Sequence, residues 1–240
     1  MKLSDFSSVL LDIEGTTSPI SFVHEVMYTY ARRELVGFLS RHLDDRTLTT
    51  LWDSLAKEGG AENLQALSQQ QGAPPIEALR RVVERLMEAD AKTTALKELQ
   101  GRIWKAGFES GELKSEVFED VPLALERWTA AGVDVRVYSS GSAVAQKVFF
   151  AYTKFGDLRR FLLGFYDTTT GPKREARSYA RIADDVGVPA EKILFFSDVV
   201  AELDAARAAG MATGLMLRPG NEPVDGDHTH LMFESFDEIG

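Results

Sequence analysis

The 240-residue sequence predicts an α/β protein: a doubly wound parallel sheet core with an inserted α-helical cap. Three observations carry that expectation. From about residue 117 onward, short apolar runs rich in β-formers alternate with helical stretches. One further apolar run, Ser7 to Leu11, stands alone near the amino end. Between the two, the chain has helical periodicity and almost no strand signal. The simplest topology adds the first run to the later sheet. Residues 1–20 and 117–240 then form a core domain, and 21–116 form a helical cap domain.

Val9, Leu10 and Leu11 are apolar in a row, as in a strand covered on both faces. Asp12 and Glu14 follow. In an extended chain residues i and i+2 share a side, so both carboxylates can face one site at the strand's carboxyl end. Gly15 lets the backbone turn sharply, and Thr16 and Thr17 add hydroxyls. After Pro19 the period becomes helical, with Val23, Met27, Tyr30, Leu35 and Phe38 recurring through His42. Leu48, Leu51, Trp52 and Leu55 mark a second helix that ends near Gly59-Gly60. The polar, Gln-rich stretch from Ala61 to Gly72 reads as a loose surface segment. Pro74-Pro75 opens a helix with Ile76, Leu79, Val82, Val83 and Leu86 on one face, and another runs from about Thr94 through Trp104. These stripes read as the core of a helical bundle, not as a cofactor box.

Val121-Pro122 begins the return to alternation, with a helix to Ala131 stopped by Gly132. Val133 to Tyr138 alternates and reads as a strand, ending in Ser139-Ser140-Gly141-Ser142 ahead of a helix through Phe150. Phe161 to Tyr166 reads as another strand. Gly171-Pro172-Lys173 opens a helix that stops at Gly187. Ile193 to Phe196 is a buried strand ending in Ser197-Asp198, followed by a helix to Ala209. Thr213 to Leu217 is a further strand, closed by Arg218-Pro219-Gly220-Asn221.

Composition limits the function. At 44% hydrophobic and 27% charged, the chain is an ordinary globular protein with enough length for a large core. A net charge of −10 argues against nucleic acid as a partner, while a local cation can still serve a small anionic substrate. The chain has no Cys, so disulfide and thiolate chemistry do not arise. No apolar run reaches membrane-spanning length and the first residues do not open a secretion signal, so a cytoplasmic protein without membrane contact is expected. Neither Gly-x-x-x-x-Gly-Lys nor Gly-x-Gly-x-x-Gly occurs, which disfavours nucleotide and dinucleotide loops. His24, His42, His228 and His230 show no metal-binding spacing, and His228 and His230 fall in a polar tail segment.

Parallel sheets bind ligands beyond the carboxyl ends of their strands. Those ends carry Asp12 and Glu14, then Ser139, Ser140 and the amides leading into a helix at Ser142, then Asp198 with Glu202 one turn later. Lys173 stands at the start of the helix before the last of these strands. Together they supply a nucleophilic carboxylate, further carboxylates for a metal, hydroxyl and amide donors, and one ammonium. That is the equipment for phosphoryl transfer through an aspartyl-phosphate. A phospho-accepting receiver domain uses similar residues, but its accepting Asp is not expected on the first strand ahead of a long helical insertion.

These residues also resemble a known family. Asp12-Ile13-Glu14-Gly15-Thr16, Ser139 in Tyr138-Ser139-Ser140-Gly141-Ser142, Lys173 and Ser197-Asp198 resemble the four motifs of the haloacid dehalogenase superfamily of phosphohydrolases. Glu14 stands where most phosphatases of that superfamily have Asp. The longer string Leu11 to Ile20 looks like one branch, the enolase-phosphatase family of methionine salvage. Asp90 to Lys97 with Leu99-Gln100-Gly101, and Arg218-Pro219-Gly220-Asn221, look like the same branch.

The resemblance implies an enzyme, a phosphoric monoester hydrolase, acting on a small-molecule phosphate. It would convert 2,3-diketo-5-methylthiopentyl-1-phosphate through its enol phosphate to 1,2-dihydroxy-3-keto-5-methylthiopentene, an acireductone. It implies one Mg²⁺ per chain and a monomer. Carried over, Asp12 is the nucleophile and a metal ligand. Glu14 takes the general acid/base place, and its main-chain carbonyl reaches the metal. Ser139 and Ser140 bind substrate phosphate, Lys173 steadies it, Asp198 completes the metal site and Glu202 contributes through water. The alternative is another Mg²⁺-dependent phosphatase of the superfamily with a different small substrate.

Overall fold

The computed structural model describes residues 2–224, 226 and 228–239. The chain divides into two compact units, Met1–Glu25 with Gly111–Gly240, and Val26–Ser110. In chain order, strand β1 (Ser8–Leu11) is followed by a π-helical segment, Phe22–Met27. Helices α1 (Tyr28–His42), α2 (Thr49–Glu58), α3 (Leu64–Gln71), α4 (Pro75–Glu88) and α5 (Thr94–Ser110) come next. Then come α6 (Asp120–Ala130), β2 (Asp134–Tyr138), α7 (Ala143–Ala151), β3 (Gly164–Tyr166) and α8 (Ala176–Val186). The chain continues through β4 (Ile193–Ser197), α9 (Val200–Ala208), β5 (Ala212–Met216) and β6 (Leu231–Phe233).

Among the described residues every strand pairing is parallel, in the order β3-β2-β1-β4-β5-β6. β1 is therefore interior, hydrogen-bonded on both sides, and all four of its residues are buried. That burial explains its unbroken apolar run, since helices cover both faces of a parallel sheet. Successive residues serve opposite faces. Leu10, Tyr138 and Phe195 pack with Tyr179 and Ile182 of α8 and Leu203 of α9. Phe196 stacks on Trp128 of α6 and meets Phe233 and Phe236 edge-on.

The second unit is a helical bundle in which α1, α2, α4 and α5 pack on one another. Leu35, Leu39, Leu55, Leu79, Val83 and Leu99 fill it, and Trp104 donates its indole N–H to the Met27 carbonyl at 2.8 Å.

The structure differs from the sequence reading in three places. The Gln-rich stretch is not loose: α3 occupies it, capped by Asn63, whose Oδ1 accepts from Ala66 N at 2.9 Å, and anchored by the fully buried Leu67. A good cap and one buried leucine suffice where tertiary packing carries a short helix. α8 begins at Ala176, because residues 171–173 are held as a loop by hydroxyl donors described below. The polar tail contains strand β6 and the buried His230. Both lie in the described part of a segment whose Asp225 and Asp227 are outside it.

Candidate active site

The strand register sets the site. Leu11 is level with Val137 on one side and Phe196 on the other. The chain therefore leaves the sheet at Asp12, Ser139 and Asp198 along one edge. Directly after β1 the backbone folds into a tight turn. The Ile13 carbonyl accepts from the amides of Thr17 at 3.0 Å and Ser18 at 2.8 Å, and Gly15 N donates to the Ser18 carbonyl at 2.8 Å. Gly15 has φ 65°, and a Cβ there would collide with Asp198 Oδ2, so only glycine lets the turn approach that carboxylate.

Asp12 is buried. Its Oδ1 accepts from Ile13 N at 2.7 Å and lies 2.8 Å from Lys173 Nζ. Ser197 Oγ approaches Oδ2 at 3.4 Å. The Lys173 side chain is only 9% exposed, and its ammonium also lies 2.6 Å from Glu202 Oε2, which accepts in addition from Ser197 Oγ at 3.0 Å. Burial alone would lower the Lys173 pKa, but the Asp12 and Glu202 carboxylates outweigh it and hold the group above the usual lysine value. Three hydroxyls fix the loop that carries this lysine. Tyr138 donates to the Gly171 carbonyl at 2.8 Å, Ser178 to Pro172 at 2.8 Å and Tyr179 to Lys173 at 2.7 Å.

The negative charge exceeds what one lysine answers. Burial pushes the Asp198 carboxyl up to about 7, with the Asp12 charge adding to it. Glu202 is raised to about 7 in the same way, by burial first and Asp12 second, with Lys173 pulling in the opposite direction. Among the described residues, no three His, Cys, Asp or Glu side chains form a metal cage. Mg²⁺ does not need one, because it takes one or two carboxylates and keeps several waters. Asp12 and Asp198, crowded and short of positive charge beside a turn with main-chain oxygens, fit such a cation.

The remaining predicted residues are placed as follows. Glu14 is part-exposed, and its Oε2 lies 3.9 Å from His24 Nε2. Ser139 is buried, its N–H donating to the Tyr166 carbonyl at 3.2 Å and its Oγ accepting from Gly141 N at 3.4 Å. Ser140 follows, half-buried. At the helix terminus after Ser142 two amides are already taken: Asp167 Oδ2 accepts from Ala143 N at 2.8 Å, and Ser142 Oγ from Ala145 N at 3.2 Å. Glu202, expected to act through water, is ion-paired to Lys173 directly.

Two residues to which the sequence pattern gives no role touch the turn. Arg218 Nε donates to the Thr16 carbonyl at 3.1 Å, and Asn221 Nδ2 to the Gly15 carbonyl at 2.9 Å. The signal for them was the tetrapeptide Arg218 to Asn221 itself, where Pro followed by Gly marks a turn.

The parallel sheet thus carries a buried Asp12–Lys173 pair at the tip of its interior strand. The haloacid dehalogenase-like hydrolase family model matches residues 6–210, and the chain belongs to that family. It is 45% identical over 232 residues to the enolase-phosphatase E1 of Sorangium cellulosum, covering 97% of this chain and 96% of that one. It is also 45% identical to a Vitis vinifera protein called probable bifunctional methylthioribulose-1-phosphate dehydratase/enolase-phosphatase E1. That match takes in 96% of this chain but only 46% of the plant protein. Among solved structures, the UTR4 protein of Saccharomyces cerevisiae superposes with a TM-score of 0.80 at 35% identity, covering 98% of this chain and all of that one. Among the described residues no helix is long and apolar enough to cross a membrane.

Proposed function

We propose that this chain enolises 2,3-diketo-5-methylthiopentyl-1-phosphate and then removes the phosphate, releasing the acireductone 1,2-dihydroxy-3-keto-5-methylthiopentene. One observation carries the reading. A buried carboxylate, Asp12, is held 2.8 Å from a buried ammonium in a chain that matches an enolase-phosphatase E1 over nearly all of both lengths.

In this reading Asp12 attacks phosphorus, the ester P–O bond breaks, and the enol oxygen leaves with a proton from the Glu14 position. Water then attacks the aspartyl-phosphate, Glu14 takes its proton, and the bond from phosphorus to Asp12 breaks. Lys173 offsets charge on the phosphoryl oxygens, and Ser139 and Ser140 orient them. One Mg²⁺ per chain, bound by Asp12, Asp198 and the Glu14 carbonyl, would supply further positive charge to those oxygens. In this reading Oδ2 is the attacking oxygen: Oδ1 is held by the Ile13 amide and Lys173, and Oδ2 has only the longer contact to Ser197 Oγ at 3.4 Å. The helical unit serves as the cap that selects the substrate, and the enzyme works as a cytoplasmic monomer.

The test gives the protein the diketo phosphate and a panel of sugar phosphates. Phosphate release is assayed alongside deuterium uptake at the substrate's α-carbon. The expected result is release specific to the diketo phosphate, with uptake preceding it. Faster release from a sugar phosphate would assign the chain to a different phosphatase reaction.

A further inference from the structure

The turn that carries Asp12 is held from outside by two side chains of one tetrapeptide. Residues 218–221 form a β-turn: Asn221 N donates to the Arg218 carbonyl at 3.1 Å, Pro219 fixes its own φ, and Gly220 has φ 89°. Pro then Gly at the two central positions, with positive φ at the second, is the type II pattern. This turn presents Arg218 and Asn221 side by side, and they hold consecutive carbonyls, those of Thr16 and Gly15.

Arg218 is itself immobilised. Its Nη2 pairs with Oδ2 of the part-buried Asp120 at 2.8 Å, and its Nη1 donates to the Glu234 carbonyl at 3.0 Å. Its guanidinium lies 4.5 Å from the Phe118 ring centre and 4.7 Å from that of Phe236. Asn221 spends both amide protons on main-chain oxygens, those of Gly15 and Met216, which settles the orientation of its carboxamide. It thereby ties the end of β5 to the turn after β1. Its Oδ1 is buried and has no hydrogen-bond partner among the described residues. That oxygen and Asp198 Oδ2 crowd the same point, where a Cβ on Gly15 would sit.

We propose that Arg218 and Asn221 are positioning residues. By gripping the Thr16 and Gly15 carbonyls they fix the main chain between Asp12 and Gly15 against Asp198, so that the two carboxylates are spaced to take a divalent cation. Asn221 is the member that faces the metal side, and Arg218 anchors it to the sheet. This rests on the reading of Asp12 and Asp198 as metal ligands. Groups that orient metal ligands in this way change affinity or activity by about 10–100-fold when removed.

Asn221 gives the cleaner test, because Arg218 belongs to a buried ion pair whose loss threatens folding. Asn221→Leu keeps the branched outline of the side chain without the donors, and Asn221→Ala removes both. Mg²⁺ binding is measured by calorimetry without substrate, well below the Tm of each folded variant, and kcat and KM are measured separately. The expected result for both variants is Mg²⁺ affinity and kcat reduced about 10–100-fold, with KM for the diketo phosphate within about threefold of wild type. Wild-type Mg²⁺ affinity in both variants overturns the proposal, whatever happens to kcat, because a structural fastening alone would not move metal binding in folded protein. Since the titration needs no substrate, it judges the clamp even if the unsubstituted protein fails to act on the diketo phosphate. That failure would count against the proposed reaction alone.

Discussion

Glu202 Oε2 lies 2.6 Å from Lys173 Nζ, closer than the Asp12 oxygen at 2.8 Å on the same ammonium. The lysine is thus shared, and the carboxylate from α9 limits how much of its charge Asp12 takes. The two ends of this pair respond differently to mutation. Lys173→Ala leaves Asp12 and Glu202 buried without their cation, which costs about 3–5 kcal/mol. That corresponds to a Tm drop of about 10 °C in EDTA. Glu202→Gln still accepts from Lys173 and sheds one of three crowded carboxylates. Its Tm in EDTA is expected within about 3 °C of wild type. Its kcat should fall about tenfold, as Lys173 draws Asp12 into a tighter pair and weakens the nucleophile. Scanning calorimetry and phosphate assay check both. A Tm collapse in Glu202→Gln would mean that the pair is chiefly structural.

Metal removal follows from the charge excess at Asp12 and Asp198. Activity should vanish in EDTA and return with Mg²⁺. Ca²⁺ should restore little, because it takes more ligands at longer distances. Full turnover in protein shown by elemental analysis to be metal-free would remove the metal from the mechanism.

Asp12→Asn retains the side-chain shape but removes the attacking anion. Phosphate release should drop to background, while enolisation, which needs a polarised carbonyl and a base but no covalent nucleophile, continues slowly. Deuterium uptake into substrate without phosphate release is the expected signature. Undiminished phosphate release would exclude Asp12 as nucleophile.

His230 gives the fold a pH dependence away from the site. Its Nε2 donates to Asp204 Oδ1 at 3.0 Å, and its Nδ1 faces the Arg207 guanidinium and Thr213 Oγ1. Burial lowers its pKa below the usual 6.5, and Arg207 adds to the shift while Asp204 opposes it. The unfolded chain therefore binds a proton that the folded chain refuses. This group's contribution to stability is complete above pH 6.5 and is lost as pH falls through the lowered folded value. Tm measured from pH 8 to 5 should decline more steeply in wild type than in His230→Gln. Parallel curves would mean that His230 does not titrate differently on folding.

The parts of this fold legible in the sequence were those written in local pattern. The apolar run of β1, the alternation of β2 and the helical stripes of α1, α2, α4 and α5 all rest on neighbouring residues. α3 escaped because its face turns on one leucine among glutamines, and β6 because Leu231 and Met232 are exposed and offer no alternation. Asp12 and Asp198 are readable as polar residues at strand ends, and Lys173 as a cation expected at the start of a helix. Three features are not. The Glu202–Lys173 pair, the Asp167 cap on α7 and the grip of Arg218 and Asn221 each join segments far apart in sequence. Their geometry is set by strand register and turn shape, which spacing along the chain does not encode.

The interior position of β1 has a consequence for how the protein is made. Its partners begin at residues 134 and 193, so β1 emerges ahead of both and cannot be hydrogen-bonded on both sides until β4 has been translated. The helices of Val26–Ser110 depend on nearer neighbours and can form while β1 waits. Their early folding also takes those residues out of the loop that β1 and β2 must close, which lowers the entropic cost of closure. The strand that presents Asp12 is thus exposed, apolar and unpaired for longest during synthesis. A nascent chain arrested before β4 emerges should be held by chaperones through Val9 to Leu11.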